Sequence, residues 1–426
     1  MLCGQRRTGG RGGTGRRCRQ PVLRPATATS GRAAREASSA TSRYATVSRR
    51  TGAGDGILVP VPGVVARTPA GEAALPSLWP GRHPLRFDDI HVAGHGTWLP
   101  PARSVARAVE EGLVDARTAH RAQAESVTVS DGESGPEMAV LAARAALAGA
   151  AAAGFTPQVD LVLHASVHYQ GHDLWAPASY VQRHALGSSG GVCPAVEIRQ
   201  LSNGGMAALE LAASYLTAAP EREGALLTSG DRFSPPGFDR WNGDPGTLYA
   251  DGGSALLLSR TGGFARLRSL VTFSDPELEG MHRGDDPFGT APFAVRPTID
   301  MEVTKKAYTS RVGVSFCISR VSAGQRSAVK RALAEADVPL DAVDWFVLPH
   351  LGRRRLEAAF FGPLGIDPDR STWPWSRGIG HLGAGDQFAG VGHLVDSGRL
   401  RPGQRCLLLG VGAGFSWSCA VLEATG

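Results

Sequence analysis

A serine follows an apolar strand in VEIRQLSNGGMAALELAASYL, where Ser202 precedes Asn203-Gly204-Gly205 and the start of an amphipathic helix. A hydroxyl at a helix N-terminus sits in a positive field beside free backbone N–H groups, which suits a nucleophile whose reaction forms an oxyanion. An N-cap serine satisfies the same pattern. SRGIGHLGAGDQFAG presents His381 on a glycine-rich loop, with Asp386 five residues on at a helix start. A hydroxyl is a weak nucleophile until a base takes its proton, and an imidazole oriented by a carboxylate is the base that serine chemistry uses. DWFVLPHLGRRR delivers His350 at the C-terminal end of a strand, the usual place for ligands in open α/β sheets. LLLGVGAGFSWSCAVLE bends at Gly412-Ala413-Gly414, where the Ala413 N–H can serve an oxyanion or close a plain hairpin.

Groups of this kind need a rigid frame, and the 426 residues, 42% of them hydrophobic and 20% charged, suffice for a sizeable core. From Phe87 onward short apolar strands alternate with alanine-rich amphipathic helices, the pattern of an α/β protein with a buried sheet. Strands are expected at residues 90–99, 160–165, 195–198, 224–229, 254–259, 345–348, 406–409 and 418–422. Helices are expected at 136–153, 203–217, 323–336, 353–361 and 386–397. VDLVLHAS in the first half and VDWFVLPH in the second each follow a helix and lead into a site loop, which points to an internal duplication with halves at 85–262 and 263–426.

The net charge of +6 is concentrated in residues 1–84, which hold fourteen arginines and no lysine against Glu36, Asp55 and Glu72. That segment is expected to be a disordered basic tail. It reads as an upstream start, a solvated extension or a transit peptide. The body carries an acidic excess, so no nucleic-acid partner is expected. No apolar run reaches the roughly 18 residues of a membrane span. The six cysteines show no paired spacing, which implies neither a disulfide framework nor a structural zinc site and fits a reducing, cytoplasmic setting. His164, His168 and His172 recur every four residues, but Gly171 interrupts them and the only nearby carboxylate is Asp173, so a loop beside an acyl tunnel is expected rather than a metal site.

Together these motifs resemble the ketoacyl-ACP synthase III family of the thiolase superfamily, over about Phe87 to Glu423. EIRQLSNGG stands at the family's nucleophile turn, WFVLPH at its histidine strand, Gly380-His381 at its Gly-Asn loop and GAGFSW at its closing Gly-Gly-Gly-Phe-Thr-Trp. YADGGSALLLS and SGRLRPGQ match two further family segments. The resemblance implies a duplicated, five-layered thiolase-like fold of two βαβαβαββ halves, a homodimer, and an acyl-CoA or acyl-ACP substrate with no cofactor or metal.

Where the family has Cys, His and Asn, this chain has Ser202, His350 and His381, with Asp386 added. That set resembles a serine-type acyltransferase subgroup that includes the starter-unit enzyme of daunorubicin biosynthesis. It implies ping-pong acyl transfer in polyketide or other secondary metabolism. Ser202 would carry the acyl group, and the N–H groups of Ser202 and Ala413 would hold the oxyanion. Decarboxylative condensation with malonyl-ACP, as in fatty acid synthesis, and a non-catalytic partner subunit are the alternatives. Arg353, Arg354 and Arg355 follow His350, and the family uses a basic residue at the last of these to dock acidic carrier proteins; a solvated helix face gives the same pattern.

Overall fold

A computed structural model describes residues 87–187 and 192–425; the basic tail expected at 1–84 lies outside them. In chain order the elements are β1 His91–Trp98, β2 Ala102–Ser104, α1 Val105–Glu110, α2 Ala116–Ala122, β3 Ser126–Thr128, α3 Gly135–Ala152, β4 Val159–Ala165, α4 Pro177–Leu186, β5 Ala195–Ile198, α5 Gly204–Thr217, β6 Gly224–Asp231 and β7 Gly252–Ser259. They continue with β8 Ala265–Ser274, α6 Gly280–Arg283, α7 Met301–Val312, α8 Val314–Ala336, β9 Trp345–Val347, α9 Arg353–Leu356, α10 Gly362–Leu364, α11 Trp373–Ser376, α12 Asp386–Asp396, β10 Arg405–Gly412 and β11 Ser416–Ala424. A π-helical turn at Glu357–Phe361 joins α9 to α10.

The strands run β5-β4-β6-β7-β1-β8-β11-β10-β9, with β2 and β3 as a separate pair. The order repeats. β4 and β6 are parallel, as are β9 and β10. β6 and β7 are antiparallel, as are β10 and β11; so are β7 with β1 and β11 with β8. The two sets meet where His91 and Val92 pair with Arg266 and Ala265. A lone parallel bridge between Phe346 and Ser371 stands in the second set where β5 stands in the first. The repeat therefore puts the turn before α5 and the loop before α12 in corresponding places.

Strands buried on both faces read as continuous apolar runs, and β6 and β7 are buried along their whole length. Alternate residues of each strand serve different cores. Leu226 and Leu257 meet Ala142, Ala143 and Ala146 of α3 on one outer side. Leu227, Leu256 and Leu408 meet Met206 and Leu209 of α5 and Phe388 and Val391 of α12 in the middle. Leu407 and Leu409 meet Val329 and Leu333 of α8 on the other outer side. Helix, sheet, helix pair, sheet and helix make the five layers that were expected.

Every expected strand and helix is present. The helix expected from Ala323 begins instead at Val314, because exposed Val314 and Ile318 break the apolar period of its first turns. Among the described residues no helix is long and apolar enough to cross a membrane.

Candidate active site

β5 ends at Ile198 and the chain turns through Leu201–Asn203, a single 3-10 turn, into α5. Leu201 takes φ +47°, a left-handed conformation that costs a non-glycine residue about 1–2 kcal/mol and lifts the next side chain out of the turn. Asn203 anchors the turn from below, its buried Nδ2 donating to Ser418 Oγ at 2.8 Å and to Ser416 Oγ at 3.2 Å on β11. Gly412, at the end of β10, lies so close that a Cβ there would stand 2.5 Å from the Gln200 oxygen. That contact sets the Ala413 turn against the serine.

The loop before α12 brings the imidazole. Ser202 Oγ lies 2.8 Å from His381 Nε2, and His381 Nδ1 lies 2.6 Å from Asp386 Oδ2. The five-residue spacing thus becomes direct contact, through a 3-10 turn at Gly383–Gly385. The His381 backbone is held on both sides by the segment after β6, donating to the Leu248 oxygen at 2.9 Å and accepting from Ala250 N at 2.8 Å. The Tyr249 ring stands edge-on to the imidazole at 4.9 Å.

Asp386 serves both histidines. Its Oδ2 accepts the His350 backbone N–H at 2.8 Å, its Oδ1 accepts Leu382 N–H at 2.8 Å, and Oδ1 lies 3.3 Å from His350 Nδ1. Burial alone would raise this carboxyl, but His350, His381 and the backbone donor hold it below the usual carboxylate range. Burial pushes His350 below the ordinary imidazole value, so it is neutral near pH 7. Its Nδ1 faces the Gly380 oxygen at 3.0 Å as well as Asp386. Two acceptors put the proton on Nδ1, leaving Nε2 as a lone pair, and that buried atom has no hydrogen-bond partner among the described residues.

Behind the loop, Asp231 at the end of β6 accepts the N–H groups of Val167 at 2.9 Å and His168 at 2.7 Å and is also bonded by the Ala384 backbone. It ties the exit of β4 to the turn between His381 and Asp386. Burial pushes its carboxyl up to about 7.

A cavity of about 660 Å³ adjoins these segments. Its lining includes Arg199, three residues before Ser202; Val167, which packs on Gly383; and His282, whose ring lies 5.3 Å from Phe415 beyond the Ala413 turn. Of the three spaced histidines, His168 and His172 line this cavity, while His164 is fully buried in β4 against Thr228 and Gln170. Among the described residues no cluster has the makings of a metal site.

Burial holds His164 at about 4. An unfolded histidine titrates near ~6.5, so as pH falls protons bind the unfolded chain first, and His164 alone removes about 3 kcal/mol of stability between ~6.5 and 4. His350, also depressed, acts in the same direction. Asp231, raised to about 7, acts oppositely, because the folded chain takes its proton first and gains about 4 kcal/mol between pH 7 and 4. The His164 contribution is therefore read by difference: His164→Gln is expected to lose less stability than the wild type on acidification from pH 6.5 to 4.5, and parallel melting profiles would contradict it.

The three arginines part company. Arg353 pairs with Glu357 at 3.1 Å and lies over the Phe361 ring. Arg354 is exposed and lines two surface grooves of about 620 and 380 Å³ together with Arg121, which had drawn no attention in the sequence. Arg355 turns onto Asp244, so its guanidinium is paired although its side chain stays 32% exposed and lines the smaller groove. Tyr249 was likewise overlooked as a site residue, although it opens YADGGSALLLS.

Residues 333–424 match the model of the 3-oxoacyl-[acyl-carrier-protein (ACP)] synthase III C-terminal domain. The β-ketoacyl-[acyl-carrier-protein] synthase III of Rhodospirillum rubrum is 28% identical over 343 residues, covering 78% of this chain and 98% of that protein. The enzyme of the same name from Neisseria meningitidis is 25% identical over 345 residues, with the same coverage. Among solved structures, the acyltransferase ChlB3 is 36% identical with a TM-score of 0.74, covering 79% of this chain and 98% of its own. The 3-oxoacyl-(acyl carrier protein) synthase III of Pseudomonas aeruginosa shares the fold, with a TM-score of 0.61 at 22% identity over 79% of this chain and 99% of its own. The chain belongs to the 3-oxoacyl-[acyl-carrier-protein] synthase III family of acyl-transferring enzymes.

Proposed function

We propose that the protein is an acyltransferase of secondary metabolism that carries its acyl group as an oxyester on Ser202. The observation that supports this best is the continuous relay from Ser202 through His381 to Asp386, at 2.8 and 2.6 Å. His381 takes the Oγ proton as the oxygen attacks the thioester carbonyl of an acyl-CoA or acyl-ACP. The backbone N–H groups of Ser202 and Ala413 hold the oxyanion. The C–S bond then breaks and His381 returns the proton to the leaving thiolate. The acceptor, a carrier-protein thiol or a hydroxyl, repeats the sequence in reverse, losing its proton to His381 as it takes the acyl group.

Decarboxylative condensation is the second reading, and His350 is the residue that weighs against it. An enolate needs a donated hydrogen bond, but a neutral His350 with its proton on Nδ1 offers the site only a lone pair. The relay likewise weighs against a silent partner subunit. Arg354 and Arg121 supply a cationic groove for an acidic carrier protein, and the enzyme works as a cytoplasmic homodimer in this reading.

Intact-protein mass spectrometry with short acyl-CoAs and acyl-ACPs should show one acyl adduct on the wild type and none on Ser202→Ala. No adduct, or one that survives the substitution, would sink the proposal. Release of CO2 with a β-ketoacyl-ACP from malonyl-ACP would establish condensation instead.

A further inference from the structure

Arg355 lies in the run read as a docking surface, yet it grips the chain that holds His381. Its guanidinium donates to both carboxylate oxygens of Asp244 at 2.8 Å, to Thr247 Oγ1 at 2.6 Å and to the Pro245 oxygen at 2.6 Å. Lys305 of α7 donates to the same carboxylate at 2.6 Å. Three parts of the fold, α9, α7 and the turn 244–247, thus converge on one buried acid whose side chain is 5% exposed.

A carboxylate so enclosed exists only because its cations are fixed around it: burial would raise Asp244, and Arg355 and Lys305 hold it far below the usual range. Removing one partner of such a buried pair is costly, because the other charge is stranded. The turn leads straight into Leu248–Ala250, the segment that bonds the His381 backbone from both sides. Tyr249 closes the loop, its hydroxyl 3.5 Å from Asp244 Oδ2 and its ring against the imidazole.

We propose that Arg355, through Asp244 and the 244–250 segment, is a positioning residue that sets His381 against Ser202, rather than a docking contact for the carrier. The proposal rests on the acyl-serine reading of the site. It deepens that reading by assigning a basic residue of α9, five positions after His350, to the geometry of the relay. Displacing the turn moves both backbone bonds that fix His381 and the ring that stops it, and a shift of an ångström at a reacting group costs roughly 10²-fold in rate.

The test separates positioning from docking by substrate size. Single-turnover acylation of Ser202 is followed by mass spectrometry with an acyl-pantetheine fragment and with the acyl-ACP. Arg355→Met is expected to slow acylation roughly 10- to 100-fold with both donors, with the carrier KM changed less than threefold. Arg355→Lys keeps a charge on Asp244 and so preserves the fold, but loses the fork to Thr247 and Pro245. It should be slowed by a smaller factor, and should shift the low-field proton resonance of the His381–Asp386 hydrogen bond.

Wild-type rates on the fragment with a raised carrier KM would overturn the proposal in favour of docking. If Arg355→Met does not fold, Arg355→Lys decides: an unshifted resonance and wild-type acylation would equally overturn it. Failure of the wild type to acylate would sink the acyl-serine reading, while the resonance shift in Arg355→Lys would still report whether the brace reaches His381.

Discussion

Asp386→Asn is expected to slow acylation of Ser202 by about 10³- to 10⁴-fold. Every polar group that faces this carboxylate is a donor: the His381 and His350 rings through Nδ1, and the backbone N–H groups of His350 and Leu382. An amide brings one oxygen and one NH2 to a place built for two oxygens. If the NH2 faces His381, the imidazole must turn its lone pair to Nδ1 and present N–H to the Ser202 hydroxyl, so it can no longer take a proton. If it faces Leu382, a buried backbone N–H is orphaned at a cost of about 1–3 kcal/mol. Either way His350 loses the charge that orients its ring. Single-turnover acylation and thermal melting read the two effects apart, and a rate within tenfold of wild type would show that His381 does not depend on Asp386.

Gly205→Ala is expected to cost about 1–3 kcal/mol of stability and to slow acylation roughly 10²-fold. A Cβ at this position would stand 2.4 Å from the Ala384 carbonyl oxygen, so the collision is with backbone that no rotamer change relieves. Gly205 is in the first turn of α5, just past Ser202, and Ala384 is in the turn between His381 and Asp386. Relief therefore drives apart the two segments that Ser202 and His381 must bridge at 2.8 Å. Wild-type acylation in a folded Gly205→Ala protein would show that the segments can separate without parting the reacting atoms.

Much of this site was legible before any coordinates. Apolar runs ending in glycine marked the strands and turns, and Ser202, His350, His381 and Asp386 stood out because a hydroxyl, two imidazoles and a carboxylate, each alone open to a capping or structural role, occurred together at element ends. What the residues did not reveal was the sharing of Asp386 by two histidines, since spacing says nothing of the backbone N–H groups that a 3-10 turn directs inward. The pairing of Arg355 was missed for a related reason. Three consecutive arginines look like a solvated or docking face, and spacing does not show that one of them is forked onto Asp244, 111 residues away. β8 escaped notice because its ARLRSLVTFS alternates buried and partly exposed residues and lacks a continuous apolar run.

The doubled strand order gives the relay an unusual ownership. Ser202 belongs to the turn before α5 in the first set of strands, and His381 and Asp386 belong to the loop before α12 and to its first residue in the second. Each repeat contributes a helix start, and neither contains a nucleophile together with its base. In the acyl-serine reading, reactivity is a property of the seam, assembled only when both repeats have closed over the shared middle layer, so a half-folded chain would be mute toward thioesters.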